Sequence, residues 1–427
     1  MNRLFVYLKD YKKETILGPL FKLLEASFEL FVPLVVASMI DVGIKTGDTG
    51  YIIRMCLVLI SLGVIGLVCS ITAQYFAAKA AVGFVKKIRH ALFRHIQSLS
   101  YTELDTLGTS TMITRMTSDV NQVQNGTNLT LRLLLRSPFV VFGAMIMAFT
   151  IDWQAALVFV VTIPLLSIVV FGIMLVSIPL YRKVQSRLDR LLGITRENLT
   201  GVRVLRAFCK ENEEIAEFET RNEDLTGVQK FVGRISALMN PVTYLIINFA
   251  VIALIWTGAI RVEAGILTQG MVVALYNYMS QILVELIKMA NLIINITKAV
   301  ACGNRIAAVF DITSSQEQTS VSPETKKDAP LVEFRDVSLQ YKNAGEDSLS
   351  GLNFTAAAGE TIGVIGGTGS GKSSLVRLIP RFYDATQGAV LVQGADVRDY
   401  PLDELRGMIG IVPQKAVLFQ GTVRDNM

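Results

Sequence analysis

The sequence predicts a multi-domain membrane protein. An all-α domain of six transmembrane helices with long cytoplasmic helical extensions comes first, and an incomplete α/β P-loop domain follows. Three observations carry this. Six stretches, near 16–40, 52–78, 133–150, 154–179, 239–260 and 270–296, stay apolar over the roughly 20 residues that a bilayer crossing takes. A polar segment without apolar period, 311–330, then interrupts the pattern. Finally, Gly366 to Ser374 matches G-x-x-x-x-G-K-[ST] between a strand pattern and a helix pattern. The domains predicted are therefore 1–310, a linker at 311–330, and 331–427.

Composition agrees. The 427 residues are 51% hydrophobic and 18% charged, too apolar for an ordinary soluble chain. A net charge of +5 gives no nucleic-acid footprint, so no nucleic-acid partner is expected. Cys56, Cys69, Cys209 and Cys302 lie far apart, match no metal or redox spacing and read as packed free thiols. His90 and His95 are five apart and do not share a helix face as metal ligands would; both read as surface residues.

Before the first span, Met1 to Glu14 is polar and basic. No small-residue cleavage site follows a short apolar core, so this end reads as an anchored helix rather than a removed signal. The connections after the first, third and fifth spans are short and carry little charge beyond Lys45 and Arg261. Those after the second and fourth are long. The second of these holds Arg182, Lys183, Arg187, Arg190, Arg196, Arg203, Arg206 and Lys210. Positive charge stays on the cytoplasmic side, which puts both termini and both long connections there. Phe84, Ile88, Ala91 and Leu99 recur at helical spacing in the first long connection, as do Val184, Leu188, Leu191, Thr195, Leu199 and Val202 in the second. These are amphipathic continuations of the membrane helices, and 25 further helical residues reach about 37 Å.

After the linker, Val332, Phe334, Val337, Leu339 and Tyr341 alternate as a strand, with a phase slip near Asp336 that predicts a bulge. Ala389–Val392 and Ile409–Val412 read as strands on either side of a helix at Leu402–Arg406. Thr361–Ile365 reads as a buried strand leading into the P-loop, and Ser374–Ile379 as the helix leaving it. In the loop, Gly366, Gly367, Gly369 and Gly371 free the backbone to turn its N–H groups around a phosphate, with Thr368 and Ser370 between them. Lys372 reaches the outer phosphates, the Ser373 hydroxyl can ligate Mg²⁺, and Ser374 continues into the helix.

Six spans, two long cytoplasmic loops, a linker and a P-loop domain together resemble the exporter-type ABC transporter half. Ser110–Val120 is similar to the family's first cytoplasmic loop. Arg196–Phe208, with Glu211, Glu214, Phe218 and Asn222, is similar to its second, and Ile411–Val423 to its Q-loop segment. The loop wording is closest to bacterial subunits of heterodimeric multidrug exporters. The resemblance implies an ATPase-coupled transporter with ATP and Mg²⁺ as cofactors and a second half-transporter as partner. Its substrate would be an amphipathic small molecule, lipid or peptide, and its place the plasma membrane. It implies that Tyr341 stacks on adenine, that Gln414 joins Ser373 at Mg²⁺, and that 103–113 and 203–213 are coupling helices, the second reaching the partner. An LSGGQ-type signature, an acidic strand end with a catalytic Glu and a switch His follow the Q-loop in that family. None is found in these 427 residues, so no catalytic residue is assigned and a copy cut short after the Q-loop is expected. Ser348-Leu-Ser-Gly351 is a decoy for the signature. The other reading is a catalytically silent nucleotide-binding subunit or a gene remnant.

Polar residues inside spans are costly, and their placement points to function. Asn277, Gln281, Glu285, Lys288, Asn291 and Asn295 fall within about 120° of one another on the sixth span. Asn240, Tyr244 and Asn248 share a face of the fifth, and Lys22, Glu25 and Glu29 one of the first. The stripe on the sixth span reads as the wall of a water-accessible translocation path. For the fifth, helix-to-helix hydrogen bonding is an equal alternative.

Overall fold

The computed structural model describes residues 2–426 apart from Gln318, Thr325, Lys327, Asn343, Lys415 and Ala416. Helices come in the order α1 (Lys12–Ser38), α2 (Thr49–Gln97), α3 (Tyr101–Leu107), α4 (Thr109–Thr114), α5 (Val120–Leu133), α6 (Arg136–Ile151), α7 (Trp153–Ala207), α8 (Glu211–Ala237), α9 (Met239–Glu263) and α10 (Gln269–Phe310). Six helical stretches among the described residues are long and apolar enough to cross a membrane. The two long connections are helical as expected. α2 and α7 run 49 and 55 residues without a break, lengths of about 73 and 82 Å at 1.5 Å per residue.

The molecule forms two compact units, Met1–Lys87 with Val120–Gly303 and Ile88–Asp119 with Asn304–Met427. In the first, α1 packs on α5 and α6, and α7 on α6, α8 and α9. Small side chains let these helices approach closely. Ala144, Ala148, Ala155 and Ala156 are fully buried beside Phe159, Leu166 and Leu275. Asp152 alone separates α6 from α7. It caps α7 by accepting from the Ala155 N–H at 2.8 Å and pairs with Arg261, whose Nε lies 2.7 Å from Asp152 Oδ2. That pairing neutralises one of the few basic residues of the short connections. Outward, Ile53, Leu57, Ile60, Val64, Leu67, Val68 and Ile71 of α2 are exposed in one run, as are Leu245, Phe249, Ile252 and Trp256 of α9. Apolar surface on this scale is covered by lipid, and the chain is a multi-pass membrane protein.

The second unit holds an antiparallel sheet in the order β2-β1-β3-β4, from β1 (Val332–Leu339), β2 (Leu349–Ala356), β3 (Gln387–Val392) and β4 (Ala395–Asp396), with helices α11 (Lys372–Leu378) and α12 (Leu402–Gly407). Phe334, Val337, Leu339, Val390 and Val392 of the sheet close a core with Leu378 of α11 and Leu405 of α12. The bulge expected near Asp336 is present. Asp336 has φ +48°, and the register of β1 shifts against both neighbours there. Gly388 (φ +77°) backs onto the bulge, where a Cβ would run into the carbonyls of Arg335 and Asp336.

Two expected strands are corrected. Thr361–Ile365 and Ile409–Val412 are irregular and, apart from the half-buried Ile409, exposed, with Ile365 at 95% and Val412 at 96%. Their apolar side chains have the composition of central strands, but no described segment offers them a hydrogen-bonding neighbour. A strand is a property of a pair. Leu349, Ser350 and Gly351 of the signature-like stretch are the first residues of β2. Of the cysteines, Cys69 and Cys302 are buried as expected and Cys56 and Cys209 are exposed; all four are free. His90 is exposed, whereas His95 is half-buried with Nε2 at 3.0 Å from the carbonyls of Val309 and Ile312 at the end of α10. The polar ends of that helix need such a partner, which overrides the surface placement expected for His95.

Candidate functional site

The loop from Gly366 to Ser374 has the conformation its glycines permit. Gly369 and Gly371 have φ +85° and +86°, a region in which a side chain is strained. A Cβ on Gly366 would stand 2.6 Å from Ser370 Oγ. One on Gly371 would stand 2.9 Å from the Ser348 carbonyl oxygen. Lys372 folds back over the loop, its Nζ donating to the carbonyls of Gly366 at 2.8 Å and Gly367 at 2.6 Å. The ammonium is thereby fixed over the loop with neutral acceptors alone. A phosphate oxygen would replace them with charge-assisted bonds roughly twice as strong. The cradle therefore fits a phosphate chain.

Tyr341 lies beside this loop. Its hydroxyl donates to Ser374 Oγ at 2.9 Å, and its half-buried ring meets the Tyr383 ring edge-on, 5.0 Å between centroids at 89°. Ser373 is exposed at the start of α11. Gln414 is exposed in the irregular stretch after α12; Lys415 and Ala416 of the same segment lie outside the described residues. Among the described residues, no group of His, Cys, Asp or Glu could hold a metal ion.

Around α3, Tyr101 packs on Phe382 at 4.7 Å, and the Arg406 guanidinium covers the Phe382 ring at 5.4 Å. Burial pushes the Glu103 carboxyl up, but hydrogen bonds from Ser100 and Ser315 outweigh it and hold the group below its ordinary range. Tyr383 donates to Asp105 Oδ2 at 2.5 Å. Sequence reasoning missed Tyr383 and Asp105. The only signal was a tyrosine in a short aromatic run, Phe382–Tyr383, after α11.

The family model for the ABC transporter transmembrane region matches residues 15–286, and the one for the ABC transporter matches residues 349–426. This chain belongs to the ABC transporter family. It is 34% identical over 425 residues to an uncharacterized ABC transporter ATP-binding protein of Mycobacterium tuberculosis, covering 99% of this chain and 72% of that protein. An uncharacterized ABC transporter ATP-binding protein of Bacillus subtilis is 32% identical over 428 residues, 100% of this chain and 74% of its own. An ATP-dependent lipid A-core flippase of Desulfotalea psychrophila is 28% identical over 418 residues, 93% and 72%. An exporter half with an ATP-binding domain is the arrangement these matches share.

In the membrane part of this ABC transporter chain, Glu285 is buried, at 3% exposure, and bonded on every side. Arg136, itself buried, donates to Glu285 Oε1 and to Glu29 Oε2, both at 2.5 Å. Ser137 Oγ donates to Glu285 Oε2 at 2.8 Å and Lys288 Nζ to Oε1 at 2.8 Å. Nearby on α1, Lys22 Nζ donates to Glu25 at 2.6 Å and to Ser70 Oγ at 3.3 Å. Arg136 Nε and Gln281 Oε1 are buried without a partner. Asn277 and Asn295 are half-buried, and Asn291 is exposed. Asn240, Tyr244 and Asn248 are all exposed on α9. The structure thus draws the acidic stripe of α1 and the centre of the α10 stripe together through Arg136, a residue that sequence reasoning passed over. Its signal was a lone charge at the head of an apolar run.

Proposed function

We propose that this chain is one half of an ATP-driven exporter that moves amphipathic compounds, of multidrug or lipid type, out of the cytoplasm. It pairs with a second half-transporter in the plasma membrane, with both termini and the P-loop domain on the cytoplasmic side. The observation that carries the reading is the Lys372 ammonium held over the Gly366 and Gly367 carbonyls, in a chain whose other unit spans the membrane. Gly366 to Ser374 wrap the triphosphate, Lys372 neutralises its outer charge, Ser373 and Gln414 hold Mg²⁺, and Tyr341 takes the adenine. Bound ATP supplies the phosphoryl transfer that drives the cycle. Val204, Phe208 and Ile215, exposed at the turn between α7 and α8, offer an apolar surface to the partner half. Lipid-type cargo is favoured because relatives over nearly the whole chain are lipid A-core flippases.

Photolabelling of membranes containing the chain with azido-ATP tests the site. Lys372→Ala should cut labelling at least tenfold, and equal labelling would defeat the P-loop reading. Inside-out vesicles carrying the chain with its partner half should accumulate a fluorescent lipid or dye on adding ATP. Labelling without accumulation of either would leave a silent nucleotide-binding subunit.

The α10 stripe forms part of the path, with Asn277, Gln281, Lys288, Asn291 and Asn295 along its wall and Glu285 fixing the charges behind them. Single cysteines at the first five should react with a water-soluble maleimide, while one at 285 should react slowest. Uniformly unreactive positions would remove the cavity from the proposal.

A further inference from the structure

Four groups of the second unit form an unbroken series. Ser374, immediately after the phosphate loop, accepts from the Tyr341 hydroxyl at 2.9 Å. The Tyr341 ring stands perpendicular to that of Tyr383, 5.0 Å away. Tyr383 is 6% exposed, and its hydroxyl donates to Asp105 of α3 at 2.5 Å. Tyr101, on the same short helix, places its ring 6.1 Å from the Tyr383 ring. A cavity of about 530 Å³ opens alongside, lined by Thr102, Asp105 and Thr106 of α3 and by Tyr341, Tyr383 and Asp384.

We infer that Tyr383 is a positioning residue that passes nucleotide occupancy from Tyr341 to α3 through Asp105. The inference rests on the nucleotide site proposed above. Tyr341 has one ring and one hydroxyl, and both are committed in the present arrangement. A base stacked on its face, or a phosphate ordering Ser374, changes one of these commitments. The edge-on contact moves with it, because an aromatic pair of this kind is directional. Tyr383 cannot absorb the change, since it is enclosed by the sheet core with Leu378 and Val390. Burial, and after it the hydrogen bond to Asp105, pushes its phenol above the ordinary range, so it remains a protonated donor throughout the physiological span. The accessible end is Asp105, which is exposed on a helix of two turns. The adjoining cavity gives α3 and the Tyr341 ring room to shift without displacing packed atoms. Coupling of this kind is reciprocal: whatever holds α3 also alters nucleotide affinity.

Two readings of the intact chain in lipid nanodiscs separate the possibilities. One is binding of the fluorescent nucleotide TNP-ATP; the other is hydrogen exchange of amides 101–107 with and without ATP. In the unsubstituted chain, ATP should change exchange across 101–107 at least threefold. Tyr383→Phe and Asp105→Ala should each bind TNP-ATP within about threefold of the unsubstituted chain yet lose the ATP-dependent change. Asp105→Asn, which keeps an acceptor oxygen, should restore most of it. The pair Tyr383→Phe with Asp105→Ala should be no worse than either alone, as expected of two partners in one bond. An undiminished ATP response in Tyr383→Phe and Asp105→Ala would overturn the inference while leaving the nucleotide site standing. Absence of TNP-ATP binding in the unsubstituted chain would overturn both.

Discussion

Arg136→Ala will be the most damaging single substitution in the membrane unit, costing about 3–5 kcal/mol by leaving Glu285 buried without its main counter-charge. The arginine satisfies two carboxylates from two other helices at once, Glu29 of α1 and Glu285 of α10, from its own place at the start of α6. Ser137 and Lys288 remain on Glu285 in the variant, but Lys288 is half-exposed and approaches the Glu285 oxygen that Arg136 shares. Thermal unfolding in detergent, followed by Trp153 and Trp256, reads the loss as a melting temperature lower by several degrees. Arg136→Lys should fall between, because an ammonium cannot present two parallel donors to two carboxylates. Arg136→Met combined with Glu29→Gln and Glu285→Gln should recover most of the stability, since removing the arginine together with both carboxylates is milder than leaving buried Glu285 without it. A single alanine variant that melts with the unsubstituted chain would show the network to be incidental.

That network also marks the limit of what the sequence discloses. Twenty apolar residues in a row need no neighbour to be recognised, and so all six crossings were legible. So were the helical continuations, because Phe84 and Ile88 mark one buried face of α2 at helical spacing. The bulge at Asp336 was legible too, since a change of phase in an alternating strand has no other local cause. Pairings across helices have no such trace. Arg136 and Glu285 are 149 positions apart, and Tyr383 and Asp105 are 278 apart, so no spacing rule connects them. Thr361–Ile365 failed in the opposite way. Its composition was right for a strand, but composition supplies only one side of a ladder. The P-loop needed no partner chain: its form is written in Gly369 and Gly371, where the backbone itself is the device.

Gly371→Ala will remove nucleotide binding, whereas Gly367→Ala, four residues away in the same loop, will leave it nearly intact. The two glycines look alike in the motif and differ in the structure. At Gly371 the φ of +86° alone costs a residue with a side chain about 1–2 kcal/mol. The added Cβ would also stand 2.6 Å from Leu349 Cδ2 and 2.9 Å from the Ser348 carbonyl oxygen. The leucine can turn aside, but the carbonyl belongs to the backbone that enters β2 and cannot. The loop must therefore shift, and Lys372 follows immediately after it. A loss of 1.4 kcal/mol is tenfold in affinity, so TNP-ATP should bind Gly371→Ala at least tenfold more weakly. At Gly367 φ is not positive and a Cβ meets nothing within 4 Å. Its N–H survives in alanine, so affinity should stay within about twofold. Equal losses at both positions would mean that the left-handed turn at Gly371 is not what shapes the cradle.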